Sequence, residues 1–490
     1  MGLGFLKKKN TKKLKFARWG VSLGFIVAPL QAPVSGLSLS EYLEQVESQS
    51  RQLLQAEESR MAALERRSEA DRVFAPRLVA TGRYFYEKES GQSGFRPQGS
   101  VTRGFEQSVG LEKKWSSGTL TRFRAASSRK RMEGFPSLDD PFWNNFVELG
   151  LEQPILGNRL GLRDRALRRR GRAVQEAEAL RQSFQSRLLM LQAEQLYWAL
   201  ALAQERLDKI RESLQRTRAI LDWNKRRFDL NLIDRGDLYQ SEAAVLQLKQ
   251  NLESAERLQR DIRREFEEFR RSNEFESELE LETLSLKVPD LPTVGEWPQF
   301  REDLQAVQTL SRAAEAEKEI SRSATHPDLF LFGNFRSASF GSRFSGSQSQ
   351  VFELKHPSYE FGLQFQLPLD FGNLARLRSA ADRDYFVQRQ EEARVEEGLH
   401  RELVGLKDRL DELLAKLKVQ EDLIEIQRKK LAHEDSRFRQ GRSTSFQILT
   451  FEEDLSNAEL QLLEFYADLR MSLAELRLFS EDSGSSLANY

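Results

Sequence analysis

The sequence predicts a mixed fold, in which very long coiled-coil α-helices join a small set of amphipathic β-strands, built from two structural repeats. Three observations predict it. The stretch Leu160 to Phe228 has no proline, and its glycines, Gly161 and Gly171, lie near the start; at 1.5 Å per residue it would form a helix roughly 100 Å long. From Tyr359 to Leu367, apolar Tyr359, Phe361, Leu363, Phe365 and Leu367 alternate with Glu360, Gly362, Gln364 and Gln366, the period of a strand. The order helix, strands, very long helix, turn, helix then occurs twice.

Bulk numbers exclude several classes. The chain has 490 residues, 75 basic and 75 acidic, enough for roughly two to four domains and a sizeable core. A mean hydropathy of −0.59 excludes a polytopic helical membrane protein, which needs runs of about 20 apolar residues. Cysteine is absent, which removes disulfides, thiolate metal sites, a cysteine nucleophile and a lipoprotein anchor. The histidines, His326, His356, His400 and His433, are too scattered for a metal site.

The elements follow in order. Residues 1–36 carry Lys7, Lys8, Lys9, Lys12, Lys13, Lys15 and Arg18 without an acid, then an apolar run from Trp19 to Leu30, then Ala32, Pro33, Val34, Ser35 and Gly36. That is the layout of a signal peptide, with cleavage near Val34-Ser35-Gly36 or at Ala32. A basic tail with an amphipathic anchor is the plainer alternative. Without this segment 68 basic residues face 75 acidic ones, and nothing else resembles a nucleic-acid footprint.

The first repeat spans 37–272, with a helix, strands within 77–153, and long helices at 159–229 and 235–272. A proline-containing, acidic linker at 273–298 leads to the second repeat at 299–479. This has a helix, strands at 328–336 and 358–368, and long helices at 374–440 and 445–479. A polar tail, 480–490, is expected to be disordered. Matching landmarks relate the halves: Ala75-Pro76-Arg77-Leu78 and His326-Pro327-Asp328-Leu329; Pro154 with Gly157-Asn158 and Pro368 with Gly372-Asn373; Arg227-Phe228 and Arg437-Phe438. Leu403, Leu406, Leu410, Leu413 and Leu417, continued by Ile424 and Leu431, form a heptad seam, as do Leu207, Ile210, Leu214 and Leu221.

In the first half Val147, Leu149 and Leu151 share a face, as do Leu78, Ala80, Gly82, Tyr84 and Tyr86; Leu329, Leu331, Gly333 and Phe335 match them in the second. Strands of this kind cross a bilayer in about nine to eleven tilted residues, with Tyr84, Tyr86, Trp115, Phe142, Trp143 and Tyr359 as a candidate aromatic girdle. The same alternation also fits a half-buried sheet of a soluble protein. An extra hairpin at 103–126 has no counterpart in the second half, where the Ser- and Gly-rich link Ser337 to Lys355 reads as an exposed loop.

From Leu37 to Phe479 the chain resembles the TolC-like outer-membrane efflux protein family, on the doubled order, the Pro154 and Pro368 junctions, and the turns after Phe228 and Phe438. The resemblance implies a homotrimer in which three chains share a transmembrane β-barrel, while their helices form a coiled-coil barrel, a tunnel into the periplasm. Four strands per chain cannot close a barrel alone, and lipid tolerates no open edge. The family's twelve strands are expected here, with the extra hairpin standing above the membrane; eighteen would follow if it entered. Phe361, Leu363 and Phe365, with Val147, Leu149 and Leu151, would face lipid.

The resemblance also implies a narrowing at the helix turns. Its pattern matches Phe438, Gly441, Gln447 and Ile448, and Phe228, Asn231, Asp237 and Leu238; Asn231 can replace glycine because it tolerates the left-handed conformation. Gln447 departs from the acidic position, and Arg442 sits one residue early. Asp234 and Asp237 are therefore expected to pair with Arg442 or Arg439 across the tips. Ordinary solvated turn charges are the alternative.

No nucleotide-cradling loop, H-E-x-x-H helix or G-x-S-x-G elbow occurs. The expectation is a passive, cofactor-free and metal-free conduit rather than an enzyme. By resemblance it would sit in outer-membrane lipid and meet a periplasmic adaptor (membrane fusion) protein and an inner-membrane transporter, for efflux of small molecules or secretion of protein. The alternative is an envelope-associated coiled-coil scaffold without a pore.

Overall fold

A computed structural model describes residues 36–89, 100–133, 140–270, 281, 301–354 and 356–480. The signal segment, most of the linker and the tail past residue 480 lie outside the described residues. Helices α1 (Leu39–Gln49) and α2 (Arg51–Arg66) lead through a 3₁₀ turn to strands β1 (Arg77–Glu89), β2 (Ser100–Lys114), β3 (Leu120–Glu133) and β4 (Phe142–Leu156). Helices α3 (Leu162–Asp229), α4 (Arg235–Arg270) and α5 (Glu302–Ala324) follow. Then come β5 (Asp328–Gly341), α6 (Phe344–Phe352), β6 (Pro357–Gln366), α7 (Phe371–Arg439) and α8 (Ser445–Arg477).

Two long hairpins, α3–α4 and α7–α8, pack side by side, with α1 and α5 against their sheet-proximal half. Ser38 starts α1 with a reciprocal cap: its hydroxyl accepts from the Glu41 amide while the Glu41 carboxylate accepts from the Ser38 amide. That places Tyr42 and Val46 in the main core with Tyr197, Leu200, Phe266, Leu403 and Leu469. Tyr42 stacks on Phe266 at 4.1 Å. The Tyr197 hydroxyl donates to the Leu37 carbonyl at 2.9 Å. Leu403 through Leu417 are buried along the α7 seam. Each fully buried leucine of such a seam contributes roughly 1.5–3 kcal/mol against exposure.

The six strands form one antiparallel sheet in the order β1-β2-β3-β4-β5-β6. The extra hairpin corrects the expectation of a structure above the membrane. Pairing of β1 with β2 runs without a break from Arg77↔Glu112 to Glu89↔Ser100, and β3 pairs with β4 from Leu120↔Glu152 to Lys130↔Phe142. The hairpin is thus inserted at full height between β1 and β4. A second correction concerns the link after Ser337. Residues 337–341 continue β5, and Phe344–Phe352 form α6, which packs on the sheet through buried Ser347 and Val351. Spaced serines hid this helix because they tie it to the strand below: Ser337 of β5 donates to the Val351 carbonyl of α6, and Ser347 of α6 donates to the Ser339 carbonyl of β5. No helix among the described residues is long and apolar enough to cross a membrane.

Candidate functional site

Strand register sorts the sheet into two unlike faces. On one lie Leu149 and Leu151 of β4, Leu331 and Phe335 of β5, and Phe361, Leu363 and Phe365 of β6. Val147 shares it, as do Leu78 and Tyr84 of β1 and Val109 and Leu111 of β2. Among the described residues nothing covers the lower part of this face: Leu78 is 74% exposed and Phe361 78%. Of the aromatic-girdle residues, Trp143 lies on this face, but Phe142, one residue away, points to the other and nears Phe340.

The opposite face is charged. Arg83 and Arg124 flank Glu106 at 3.2 and 3.0 Å, and Arg122 meets Glu152 at 2.9 Å. Asn334 donates to Glu360 at 3.1 Å. Arg336 lies 3.9 Å from the centre of the Phe146 ring. Fixed charges at this density need water beside them. One face therefore suits lipid and the other suits an aqueous lumen, the alternation of a transmembrane barrel. Among the described residues, strands β1 and β6 each have one edge without a partner strand.

The sheet passes into the helices at a tight junction. Asn158 is buried; its side-chain carbonyl accepts from the Arg163 amide at 2.9 Å and its amide donates to Asp164 at 2.6 Å. Asp164 also holds Lys114 of β2 at 3.0 Å. In the second repeat Asp370 caps α7 by accepting from Asn373.

At the far end both helical hairpins turn in the same way. Asn231 and Gly441 have φ of 59° and 74°. Amides of Leu232 and Arg442 donate to the carbonyls of Arg227 and Arg437, each at 2.8 Å, and amides of Asn231 and Gly441 donate to those of Phe228 and Phe438. This is the Schellman arrangement, which satisfies the last carbonyls of a helix. Asp234 immediately precedes α4 and Asp237 lies in its first turn, where an acid complements the helix dipole. Gln447 holds the equivalent place in α8, its amide donating to Thr444.

The structure does not bring these acids to the arginines within one protomer. Arg439 pairs with Asp435 of its own helix at 2.9 Å. Among the described residues no ion pair joins Asp234 or Asp237 to Arg439 or Arg442. The contact that does link the tips went unread in the sequence: buried Asn224 of α3 donates to Ser241 of α4 at 3.2 Å and to Ser445 of α8 at 2.9 Å. The signal was available, since Thr217 and Asn224 continue the spacing of Leu207, Ile210, Leu214 and Leu221. Gln420 does the same in α7, donating to the Ala458 carbonyl at 2.8 Å. A polar residue in such a seam fixes register at a cost in stability.

Between tip and equator lies a buried charge network. Glu452 of α8 accepts from Arg216 of α3 at 2.5 Å and from Ser213 at 3.3 Å, and Glu459 accepts from Arg428 of α7 at 2.7 Å. Burial pushes the Glu452 carboxyl up, against the pull of Arg216. Nearer the sheet, burial likewise raises Glu194, opposed by Arg477 at 2.7 Å.

Residues 297–480 match the Outer membrane efflux protein family. No curated protein matches the chain in sequence. Among solved structures, the chain is similar to the outer-membrane channel OprN, with a TM-score of 0.67, 15% identity, and coverage of 90% of this chain and 89% of that one. It is also similar to the outer membrane protein VceC of Vibrio cholerae, with a TM-score of 0.64, 14% identity and coverage of 90% and 95%. For the CmeC outer membrane channel of Campylobacter jejuni the values are 0.64, 13%, 90% and 84%. The fold is the TolC-like one, a helical tunnel joined to a β-barrel, and the second repeat carries the family's sequence pattern. Both are features of outer-membrane channels with a periplasmic helical extension.

Proposed function

We propose that this TolC-like chain is the outer-membrane conduit of a tripartite export system, a passive pore rather than an enzyme. The carrying observation is the sheet: one apolar uncovered face, one charged face, and free edges at β1 and β6. Lipid tolerates no such edge, so β1 of one chain pairs with β6 of the next. Three chains with six strands each close an eighteen-stranded barrel, a size at which barrels hold an aqueous channel. An envelope scaffold without a pore would have no use for two chemically opposite sheet faces.

Trimerisation also gives the helices a partner. Leu377, Phe386, Val387, Val419 and Ile426 are exposed along α7, away from its buried seam, and sister helices would cover them as the tunnel closes. The tips then converge. Asp234 and Arg442 are exposed and Asp237 and Gln447 half-buried, placed to pair between chains and hold the mouth narrow, while Arg439 stays with Asp435 of its own helix. Exposed pairs are worth about 0–1 kcal/mol each, so docking of an adaptor protein at the tips suffices to open them. An inner-membrane transporter supplies the energy.

The cysteine-free sequence makes the test clean. Tyr84→Cys in β1 should be combined singly with Tyr359→Cys, Phe361→Cys or Leu363→Cys in β6. Oxidation should give covalent trimers for at least one pair, and the trimer should conduct in a planar bilayer. A protein that stays monomeric without detergent would end the proposal.

A further inference from the structure

We propose that the outer surface of the barrel carries a built site for a phosphorylated glycolipid of the outer leaflet; this rests on the outer-membrane reading above. The sheet runs into α3 and α7 at one end, so the end bearing the β1–β2, β3–β4 and β5–β6 connections faces the exterior. There the apolar face changes character. Lys88, Arg103, Arg129 and Arg131 all lie on it, within three adjacent strands, and all are exposed. Arg103 and Arg131 are directly opposed across the β2–β3 ladder. Like charges so placed repel and destabilise a sheet. Glu133, 2.5 Å from Arg103, offsets one of the four, which leaves an excess of positive charge.

A second, independent feature adjoins these cations. Helix α6 stands off the same face and leaves a trough of about 530 Å³ between itself and β1–β4. Its walls include Ala80, Val109, Ala125, Val147, Val351 and Phe352. Ser127, which also lines it, is two residues along β3 from Arg129. Small side chains floor the trough where bulky ones flank it lower down. Cations thus stand at the head of a mainly apolar trough, on the surface that faces lipid. That order, phosphate level above acyl level, matches a lipid bearing several phosphates on its head group and several chains below. Three arginines on two strands, with Lys88 on a third, suit more than one phosphate, because each guanidinium binds phosphate oxygens in a fork. A monophosphate phospholipid would leave part of the cluster unmatched.

The test uses the full-length, delipidated trimer in detergent, with bound lipid counted by native mass spectrometry. The probes are diphosphoryl lipid A, its dephosphorylated form, and phosphatidylglycerol. The wild type should bind diphosphoryl lipid A in preference to both others. The triple variant Arg103→Gln, Arg129→Gln, Arg131→Gln should bind it about a hundredfold more weakly, at roughly one kcal/mol per charge. The variant Arg103→Lys, Arg129→Lys, Arg131→Lys keeps the charge but loses the fork, and should bind more tightly than the glutamine variant and less tightly than the wild type, which separates lost charge from lost folding. Equal binding by wild type and glutamine variant, or equal binding of phosphatidylglycerol and diphosphoryl lipid A, would overturn the site. Conductance of the same trimers in a glycolipid-free bilayer tests the pore separately.

Discussion

Gly118 and Gly161 meet backbone to backbone. A Cβ added at Gly161 would lie 2.6 Å from the Gly118 nitrogen and 2.3 Å from the Ser116 carbonyl oxygen, and one at Gly118 would lie 3.0 Å from the Gly161 Cα. Gly118 forms the inner turn of the inserted hairpin, and Gly161 is the residue before α3. Both have positive φ, 80° and 71°. The hairpin therefore does not hang from the sheet's outer rim; its turn is seated on the point where strand becomes helix.

Substitution should unseat it. Gly161→Ala forces a left-handed alanine, costing about 1–2 kcal/mol, and adds a clash with backbone that cannot yield. We expect a trimer that dissociates at a lower temperature on a heated gel, with new protease sensitivity near residue 118. Gly236→Ala is the contrast. Nothing lies within 4 Å of its added Cβ, and it should be neutral or stabilising by up to about 1 kcal/mol. Equal effects of the two changes would contradict the seating.

The buried amide near the tips gives a second expectation. Asn224→Ala removes the amide that donates to Ser445 and to Ser241, leaving Ser241 only its bonds to the Asp237 and Leu238 carbonyls, at a cost of about 1–3 kcal/mol. The loss is local, so hydrogen exchange should quicken around 224–245 and 440–450 while the equatorial core near Tyr42 and Phe266 keeps its protection. Uniform acceleration would place the effect elsewhere.

Acidification has a defined sign. Glu194 and Glu452 sit above the ordinary glutamate value of 4.5, chiefly because burial penalises their charge. A carboxyl raised in this way holds its proton more tightly folded than unfolded. Stability should thus rise as pH falls from neutrality through the raised pKa toward 4.5. Asp71 behaves oppositely: hydrogen bonds from Arg172 and Arg168 hold it below its ordinary 3.8, so its contribution is kept above that value and lost as pH falls further. Melting should therefore move upward as pH falls from neutrality toward 4.5 and downward once pH falls below 3.8. Glu194→Gln combined with Glu452→Gln should flatten the first rise and leave the decline in acid.

Much of this architecture was legible in the sequence, for identifiable reasons. Long helices announce themselves through seams such as Leu403 to Leu417, and β6 through unbroken alternation. The failures share a cause, which is that local pattern does not report what a segment packs against. Residues 103–126 alternate whether they stand in lipid or above it; only pairing with β1 and β4 decides. The serines of α6 read as loop until the strand beneath them is known. Turn spacing points Arg439 to acids across the tips, yet Asp435, four residues away on its own helix, takes it. Asn224 and Gln420 hold buried seam positions that an apolar pattern does not mark.

The tip charges give the last expectation. Asp234 and Asp237 find no arginine partner from the other tip of their own chain among the described residues, and Arg442 is exposed at the same end of the molecule. Once three chains converge, the remaining way to satisfy these charges outside water is between neighbours. The double change Asp237→Ala with Arg442→Ala should then raise the open fraction of single channels in a planar bilayer. With exposed pairs worth about 0–1 kcal/mol each, three per trimer set an upper limit of about a hundredfold on the shift. Raising salt should open the wild type in the same direction, since screening acts on exposed pairs first, and should do little to the variant. A variant with unchanged open fraction, still sensitive to salt, would show that Asp234 and Asp237 merely complement the first turn of α4.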